Sequence, residues 1–193
     1  MVTMPYVMDA KDGRGSDLFS RLLQDRIVLL TGEINDDSAA VAVAQLLYLE
    51  AQDPEKEVSL YINSPGGSVT AGLAIVDTMR HVRCPVATTA VGLAASMGAV
   101  LLAAGEKGRR RLLPNAEVMI HQPLGGAEGQ TTDVLIRARR MERMKEKLMD
   151  LMADFTGQDR ARLAEDMERD YFLDAKGAVE YGLADQVLDE KEG

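Results

Sequence analysis

The sequence predicts an α/β domain with a mainly parallel sheet and flanking helices. Short apolar runs rich in β-branched residues alternate along the chain with longer segments of helical character. Repeated units of this length favour parallel strands joined by right-handed crossovers. With 193 residues and 46% hydrophobic content, the chain can bury one substantial core, and no linker is long enough to divide it.

Apolar runs and their capping residues define the elements in order. Asn35-Asp-Asp-Ser38 offers N-cap side chains to a first helix that extends to Glu50. Asn63-Ser-Pro-Gly-Gly-Ser68 predicts a turn between the second strand and the second helix. Strands are predicted over residues 26–30, 58–62, 86–91, 118–120 and 185–188, and the later helices over residues 69–80, 96–104, 131–155, 160–167 and 175–181.

The N-terminal residues differ in composition from the rest. Residues 1–16 open with a short apolar patch and continue into a polar stretch with two glycines. This composition is typical of a mobile loop. We therefore expect a loop over residues 1–16 and a single domain over residues 17–193.

The longest predicted helix is capped by Thr131 or Thr132 and stops at Gly157. An a/d seam at spacings of three and four runs along it, with a second subunit or the chain's own core as its partner. The small residues that precede the helix favour a helix that projects from the sheet. The seam consists of Met141, Met144, Leu148, Leu151 and Phe155.

Charge and composition exclude several classes of function. A net charge of −9 and a pI near 4.8 argue against a nucleic-acid-binding protein, which usually carries a basic face. The run Arg109–Arg111 is too short for a phosphate track and predicts a solvated turn or a subunit-interface patch. The N-terminus lacks the basic region of a signal peptide, and residues 86–104 divide into a strand-like and a helix-like half rather than one membrane span. We expect a cytoplasmic protein that binds neither nucleic acid nor membrane.

Cofactor and metal signatures are absent from the sequence. It contains no G-x-x-x-x-G-K-[ST], no G-x-G-x-x-G after a strand and no H-E-x-x-H. The one cysteine, Cys84, excludes an internal disulfide and a cysteine-based zinc site, and its apolar neighbours predict a buried thiol. We expect neither a metal nor an organic cofactor.

A small set of residues is suited to nucleophilic catalysis. Ser96 lies between a strand and an apolar helix, where the helix N-terminus favours developing negative charge, although a plain N-cap serine has the same position. His121 closes a strand, at the edge where sites form in α/β sheets. The backbone N–H groups of Gly67 and Met97 could together form an oxyanion hole.

Residue types alone do not assign the second histidine or the acid. The other histidine, His81, ends a predicted helix, and interaction with the helix dipole accounts for it without catalysis. An acid to orient His121 cannot be selected, because 31 carboxylates compete. Asp166, Asp170 and Asp174 are all candidates in the region after the long helix.

The sequence resembles the ClpP caseinolytic protease family, and the likeness extends from about residue 18 to residue 188 without large gaps. The segments that carry it are specific in combination. They are Tyr61-Ile-Asn-Ser-Pro-Gly-Gly67, Gly92-Leu-Ala-Ala-Ser-Met-Gly-Ala99, Leu113-Pro-Asn115, Val118-Met-Ile-His-Gln-Pro-Leu-Gly-Gly126, Glu168-Arg-Asp-Tyr-Phe172 and Ala178-Val-Glu-Tyr-Gly-Leu-Ala-Asp185.

The resemblance implies a ClpP fold, related to the crotonase fold, and a serine endopeptidase that cleaves unfolded polypeptides. Ser96 would be the nucleophile, His121 the general base and Asp170 the acid that orients it. Gly67 and Met97 would form the oxyanion hole.

The resemblance also implies an assembly. Two stacked seven-membered rings would enclose the sites, with residues 124–156 as a handle between the rings and residues 1–16 as axial loops. An AAA+ unfoldase of the Clp family would supply the energy for unfolding, since this chain lacks a nucleotide-binding motif.

One surface departs from the family pattern. The groove that receives the ATPase is usually lined by apolar and aromatic residues, and Tyr61 and Leu188 fit that lining. Ser59, His81 and Arg111 occupy positions where such residues are common. We therefore expect weak docking by a homomeric ring, or a second ClpP-type subunit that supplies a better groove.

Two alternative functions remain at this stage. A crotonase-like acyl-CoA enzyme uses a similar pair of N–H groups but needs no triad. A catalytically silent ClpP paralogue would modulate an active subunit in a mixed ring.

Overall fold

The computed structural model describes residues 5–8 and 15–188. Strands and helices alternate along most of this length. The strands are β1 (Tyr6–Met8), β2 (Gly15–Asp17), β3 (Ile27–Thr31), β4 (Val58–Ser64), β5 (Val86–Ala95), β6 (Arg110–Leu112), β7 (Glu117–Ile120), β8 (Tyr171–Asp174) and β9 (Gln186–Val187). The helices are α1 (Leu18–Gln24), α2 (Asp36–Gln52), α3 (Val69–His81), α4 (Met97–Ala103), α5 (Thr131–Thr156), α6 (Arg160–Asp166) and α7 (Ala175–Tyr181).

The central sheet is mainly parallel, as the sequence predicts. Its main path runs β3-β4-β5-β6-β9, with every neighbouring pair parallel. The strand β5 is longer than the predicted residues 86–91, because it continues past Gly92, where φ is +77°, to Ala95. Its first half pairs with β6, and its last three residues pair with β7 instead. A second small layer, β7 with antiparallel β8, is therefore attached to the end of β5.

One hydrophobic core lies between the sheet and its helices. The alternate residues Val58, Leu60 and Ile62 of β4 are fully buried and belong to the same cluster as the apolar faces of α2 and α3. Helix α4 is buried along its whole length, which explains its uninterrupted apolar sequence. Among the described residues, no helix combines the length and the apolar character needed to cross a membrane.

The prediction for the arginine run was wrong for its central residue. Residues 110–112 form β6, and the Arg110 side chain is only 6% exposed. The neighbouring Arg109 and Arg111 do reach the surface, where both approach Glu57, at 2.7 and 3.7 Å. Strand alternation accounts for the difference, because it turns Arg110 inward and its neighbours outward.

The guanidinium of Arg110 joins four parts of the fold. It forms an ion pair with Asp185 at 2.6 Å, just before β9. It also donates hydrogen bonds to the carbonyl oxygens of Ala103, Phe155 and Gly182, which lie at the C-terminal ends of α4, α5 and α7. A cation is favourable at such ends, where carbonyl groups lack intrahelical partners.

Helix α5 agrees with the prediction at its end and differs at its beginning. Gly157 terminates it in the left-handed conformation, with φ of +74°. Its N-cap is Gln130, without a side-chain hydrogen bond, so neither Thr131 nor Thr132 caps the helix.

The apolar side chains of α5 lie in two environments, because most of the seam packs on the core and other apolar residues nearer the N-terminus do not. Leu148 and Phe155 are buried in the chain's own core, so the self-packing interpretation is correct for the C-terminal half. In the N-terminal half, Leu135 and Ile136 are 52% and 58% exposed. This half leaves the core and presents apolar side chains to its surroundings.

Several short elements were not predicted. They are β1, β2, α1, β6 and β8. Strand β1 pairs antiparallel with β2 within the N-terminal stretch that was expected to be a loop. The rest of that loop prediction falls on residues 1–4 and 9–14, outside the described residues.

We expect Arg110→Met to destabilise the fold by about 3 kcal/mol, because it leaves a carboxylate and three helix ends without their cation. Urea unfolding at a fixed protein concentration measures the effect. Arg109→Met, which removes a surface ion pair, is the control and should cost less than about 1 kcal/mol. Equal losses of unfolding free energy in both variants would show that the buried contacts of Arg110 contribute no more than a surface ion pair.

The ion pair also predicts a pH dependence. Burial raises the pKa of Asp185, but hydrogen bonds from the Arg110 side chain and backbone outweigh it and hold that pKa below its ordinary value of 3.8. A carboxylate of this kind stabilises the fold above its ordinary pKa and loses that contribution as the pH falls through its lower folded value. The stability gap between wild type and Asp185→Asn should therefore be constant near neutral pH and narrow below about pH 4. A gap that widens on acidification would contradict this.

Candidate active site

Ser96 occupies a sharp bend between β5 and α4. Its φ and ψ are +54° and −120°, a conformation that is costly for a residue with a Cβ, by about 1–3 kcal/mol. Its backbone N–H donates to the carbonyl of Met119 at 2.8 Å, which holds the bend against β7. The side chain makes no capping hydrogen bond, so the interpretation of Ser96 as a plain N-cap serine is wrong. The bend aims the hydroxyl away from its own helix.

The hydroxyl of Ser96 meets His121. The Oγ atom of Ser96 lies 2.9 Å from Nε2 of His121. Parallel pairing of β5 with β7, with Ala95 beside Met119, brings the two strand ends together. His121 is 12% exposed in its side chain, so its ring is held by neighbours on most sides.

A carboxylate completes the arrangement from the other strand of the small layer. Nδ1 of His121 lies 3.1 Å from Oδ1 of Asp170. Antiparallel pairing of β8 with β7 sets Tyr171 opposite Ile120, so the residue before β8 faces the residue after β7. With Nδ1–H donating to Asp170, Nε2 is left as the acceptor for the hydroxyl proton of Ser96.

The other two acid candidates have different partners. Asp166 accepts a hydrogen bond from the hydroxyl of Tyr181 at 2.8 Å. Asp174 caps α7 by accepting from the backbone N–H of Gly177 at 2.7 Å. Of the three, Asp170 is the one that lies within hydrogen-bond distance of His121. Sequence reasoning without the resemblance left the choice among the three open because β8 was not predicted, although Tyr171 and Phe172 are typical strand residues.

The glycine turn after β4 packs directly on this bend. Gly66 and Gly67 have φ of +94° and +148°, a region that favours glycine. A Cβ on Gly66 would lie 2.6 Å from the Cβ of Ser96. Hydrogen bonds to Ile34 fix the turn on its far side. Because Met97 is the first residue of α4, its N–H has no acceptor within the helix.

An apolar pocket opens beside Ser96 and His121. It lies between the start of α4, the end of β7 and the C-terminal half of α5. Its walls are Val69, Met97, Val100, Ile120, Pro123, Leu148, Met152 and Met167. A second depression on the other side of Pro123 reaches the middle of α5.

The remaining sequence candidates lie elsewhere in the fold. His81 is the last residue of α3, as expected for a residue at a helix end. Cys84 is buried, and burial raises the pKa of its thiol, as expected for an inert side chain. Within residues 5–8 and 15–188, no group of three or more His, Cys, Asp and Glu side chains could hold a metal ion.

The polar residues of the expected docking groove do not all share one surface of the chain. Tyr61 and Arg111 lie in the same row across the sheet, each paired with Thr89 of β5. Ser59 is two residues before Tyr61 on β4 and shares its face. His81 ends α3, which packs on the opposite face of the sheet through the core.

The fold and the site together define a class of protein. A mainly parallel α/β sheet holds a serine, a histidine and an aspartate in hydrogen-bond sequence at the start of a buried helix. A protein-family model described as Clp protease matches residues 10–191. The chain therefore belongs to the Clp protease family and is a ClpP-type protease with the ClpP fold. This membership leaves the crotonase-like acyl-CoA enzyme without support.

The selection of Asp170 can be tested by the reactivity of Ser96. A fluorophosphonate reacts with a serine hydroxyl that a neighbouring base activates, so its rate of attachment reports on the hydroxyl itself. We expect Asp170→Asn to slow attachment by about 10³-fold or more, because it disturbs the tautomer and the orientation of His121. Asp166→Asn and Asp174→Asn are the matched controls, and both should react at nearly the wild-type rate. A slow Asp166 variant and a normal Asp170 variant would reverse the choice of acid.

Proposed function

We propose that the chain is a serine endopeptidase with Ser96 as nucleophile, His121 as general base and Asp170 as the acid that orients His121. The single observation that carries the proposal is the chain of two hydrogen bonds, 2.9 Å from Ser96 to His121 and 3.1 Å from His121 to Asp170. The strained backbone at Ser96 supports it, because strain of this kind persists where the surrounding structure is built to hold it.

The chemistry follows from the positions of the atoms. Oγ of Ser96 attacks the carbonyl carbon of a peptide bond while Nε2 of His121 takes its proton. The resulting oxyanion is stabilised by the N–H groups of Gly67 and Met97, at roughly 3–4 kcal/mol for each donor. His121 then donates the proton to the leaving amine, which releases the first product and leaves an acyl-enzyme. Water, activated by the same imidazole, hydrolyses the ester and restores Ser96.

The apolar lining beside Ser96 favours an apolar residue at the carbonyl that is attacked, although the space of about 20 Å³ must widen to admit a side chain. Its lining carries methionine, valine, leucine and isoleucine side chains beside Ser96. Burying such a side chain gains about 25 cal/mol per Å², whereas a charged side chain would lose its water there. We therefore favour unfolded polypeptides cut after apolar residues as substrates.

Family membership suggests an oligomer that works with Clp ATPases, and we propose two stacked heptameric rings in the cytoplasm. Support within the chain comes from the exposed N-terminal half of α5, where Leu135 and Ile136 need an apolar partner. In this proposal residues 124–156 are the handle between rings, residues 17–193 are the protease domain and residues 1–16 surround the axial pore.

Docking of an AAA+ unfoldase would use the outer face of the sheet around Tyr61 and Leu188. Ser59 and Arg111 make that face more polar than the family pattern. Because His81 lies behind the sheet, it could join such a groove only from an adjacent subunit. Weak docking by a homomeric ring, or a mixed ring with a second ClpP-type subunit, remains our hypothesis for this surface.

The peptidase proposal predicts that Ser96→Ala and His121→Ala each lower peptide hydrolysis by several powers of ten, because triad members act as a unit. A fluorogenic peptide with an apolar residue before the cleaved bond measures turnover, and thermal unfolding checks that the variants fold. His81→Ala is the matched control and should retain wild-type turnover. If folded wild type in its native assembly is inactive, the chain is instead a silent subunit of a mixed ring.

The assembly proposal predicts a native mass many times the 21.0 kDa of one chain by light scattering. Leu135→Asp with Ile136→Asp should separate double rings into single rings or smaller species, because it puts charges into an apolar contact. Leu148 is unsuitable for this test, because it is buried in the subunit core. Asp substitution of the exposed Arg139 is the control. Wild type that behaves as an active monomer would rule out the ring proposal.

A further inference from the structure

The acid of the candidate triad lies in an exposed position. Asp170 is 59% exposed in its side chain, and it belongs to the short turn between α6 and β8. An exposed carboxylate can adopt many rotamers, and water competes for its hydrogen bonds. Burial therefore does not keep Asp170 in contact with His121. The position of the turn itself must therefore be fixed by other contacts.

Gln122 fixes this turn from the other side. It directly follows His121, and its backbone N–H donates to the carbonyl of Met167 at 2.7 Å. Its side-chain Nε2 donates to the carbonyl of Glu168 at 3.2 Å. The two hydrogen bonds join the residue next to the base to positions two and three residues before Asp170. The distance between His121 and Asp170 thus depends on Gln122 as well as on the pairing of β7 with β8.

Lys145 determines which way the Gln122 amide points. Its ammonium group, on the middle of α5, donates to Oε1 of Gln122 at 2.9 Å. An ammonium can only donate, so it accepts only the orientation with the amide oxygen toward α5. The amide NH₂ then faces the carbonyl of Glu168. If the amide were flipped, its NH₂ would face the ammonium of Lys145 and its oxygen would face the carbonyl of Glu168, and neither pair could form a hydrogen bond.

We infer that Lys145 and Gln122 are positioning residues for the triad, and that they hold the turn at residues 167–170 so that Asp170 stays on His121. The inference rests on the proposed peptidase function, in which that contact is needed.

The test compares four variants by peptide hydrolysis and by the rate of fluorophosphonate attachment. Lys145→Met removes the donor and keeps the stem, and we expect kcat and the attachment rate to fall about tenfold with KM unchanged, since misplacement of a catalytic group is costly. Lys145→Arg restores a donor and should recover most of the loss. Gln122→Met removes both side-chain bonds and should resemble Lys145→Met. Lys147→Met, an exposed lysine on the same helix, should behave as wild type.

A double-mutant cycle separates positioning from general damage. In an Asp170→Asn background, Lys145→Met should have little further effect, because the group that it positions is already lost. A general structural defect would instead add its full tenfold loss. Thermal unfolding and native mass are measured for every variant, and Gln122→Met replaces Lys145→Met in the cycle if the latter fails to assemble.

The outcomes distinguish failure of the positioning role from failure of the peptidase proposal. If wild type does not react with the fluorophosphonate, the peptidase proposal fails. If wild type reacts and Lys145→Met and Gln122→Met react equally fast, the triad stands and the positioning role is overturned. Additive losses in the cycle also overturn it.

Discussion

The buried guanidinium of Arg110 holds together elements that are far apart in the sequence. It neutralises Asp185 and donates hydrogen bonds to carbonyl groups at the ends of three helices, so α4, α5, α7 and the entry to β9 converge on one side chain. A lysine could not replace it, because only the planar guanidinium offers several donors in fixed directions. Burying a charge is costly unless its hydrogen bonds are satisfied, and here the carboxylate and the three carbonyls satisfy them. Since α4 is held at its C-terminal end in this way, the position of its first turn, where Ser96 and Met97 lie, also depends on this contact.

The site lies where the strand β5 changes its pairing partner. At Gly92 the strand β5 leaves β6 and begins to pair with β7, so its last residues belong to a second layer. The other two residues of the site come from that layer. His121 follows β7 and contacts Oγ of Ser96, and Asp170 precedes β8 and contacts His121. The strained bend at Ser96 is enclosed by the Gly66–Gly67 turn on one side and by Met119 on the other. The local conformation is therefore determined by tertiary contacts rather than by the preference of the serine.

The sequence alone predicted those features of the fold and site that depend on local patterns of residues. Apolar runs located β3, β4 and β5, and residue types located the cap at Asn35 and the stop at Gly157. Ser96 and His121 were candidates because both follow strands. The acid needed the resemblance, because the choice among three aspartates depends on β8, a four-residue strand that exists through its pairing with β7. Burial of Arg110 was missed for a related reason: β6 is three residues long, and its partner Asp185 is 75 residues away.

Helix α5 has one end anchored in the core and the other end outside it, which gives it the mechanical character of a lever. The anchor begins near Leu148, and the free tip at Thr131 lies about 25 Å away at 1.5 Å per residue. A tilt of about 10° about the anchor moves the tip by roughly 4 Å, but it moves the level of Lys145, one turn from the anchor, by less than about 1 Å. Any movement of the tip about this anchor is therefore reduced by a factor of about six at the level of Lys145. The placement of Lys145 along the helix sets this ratio.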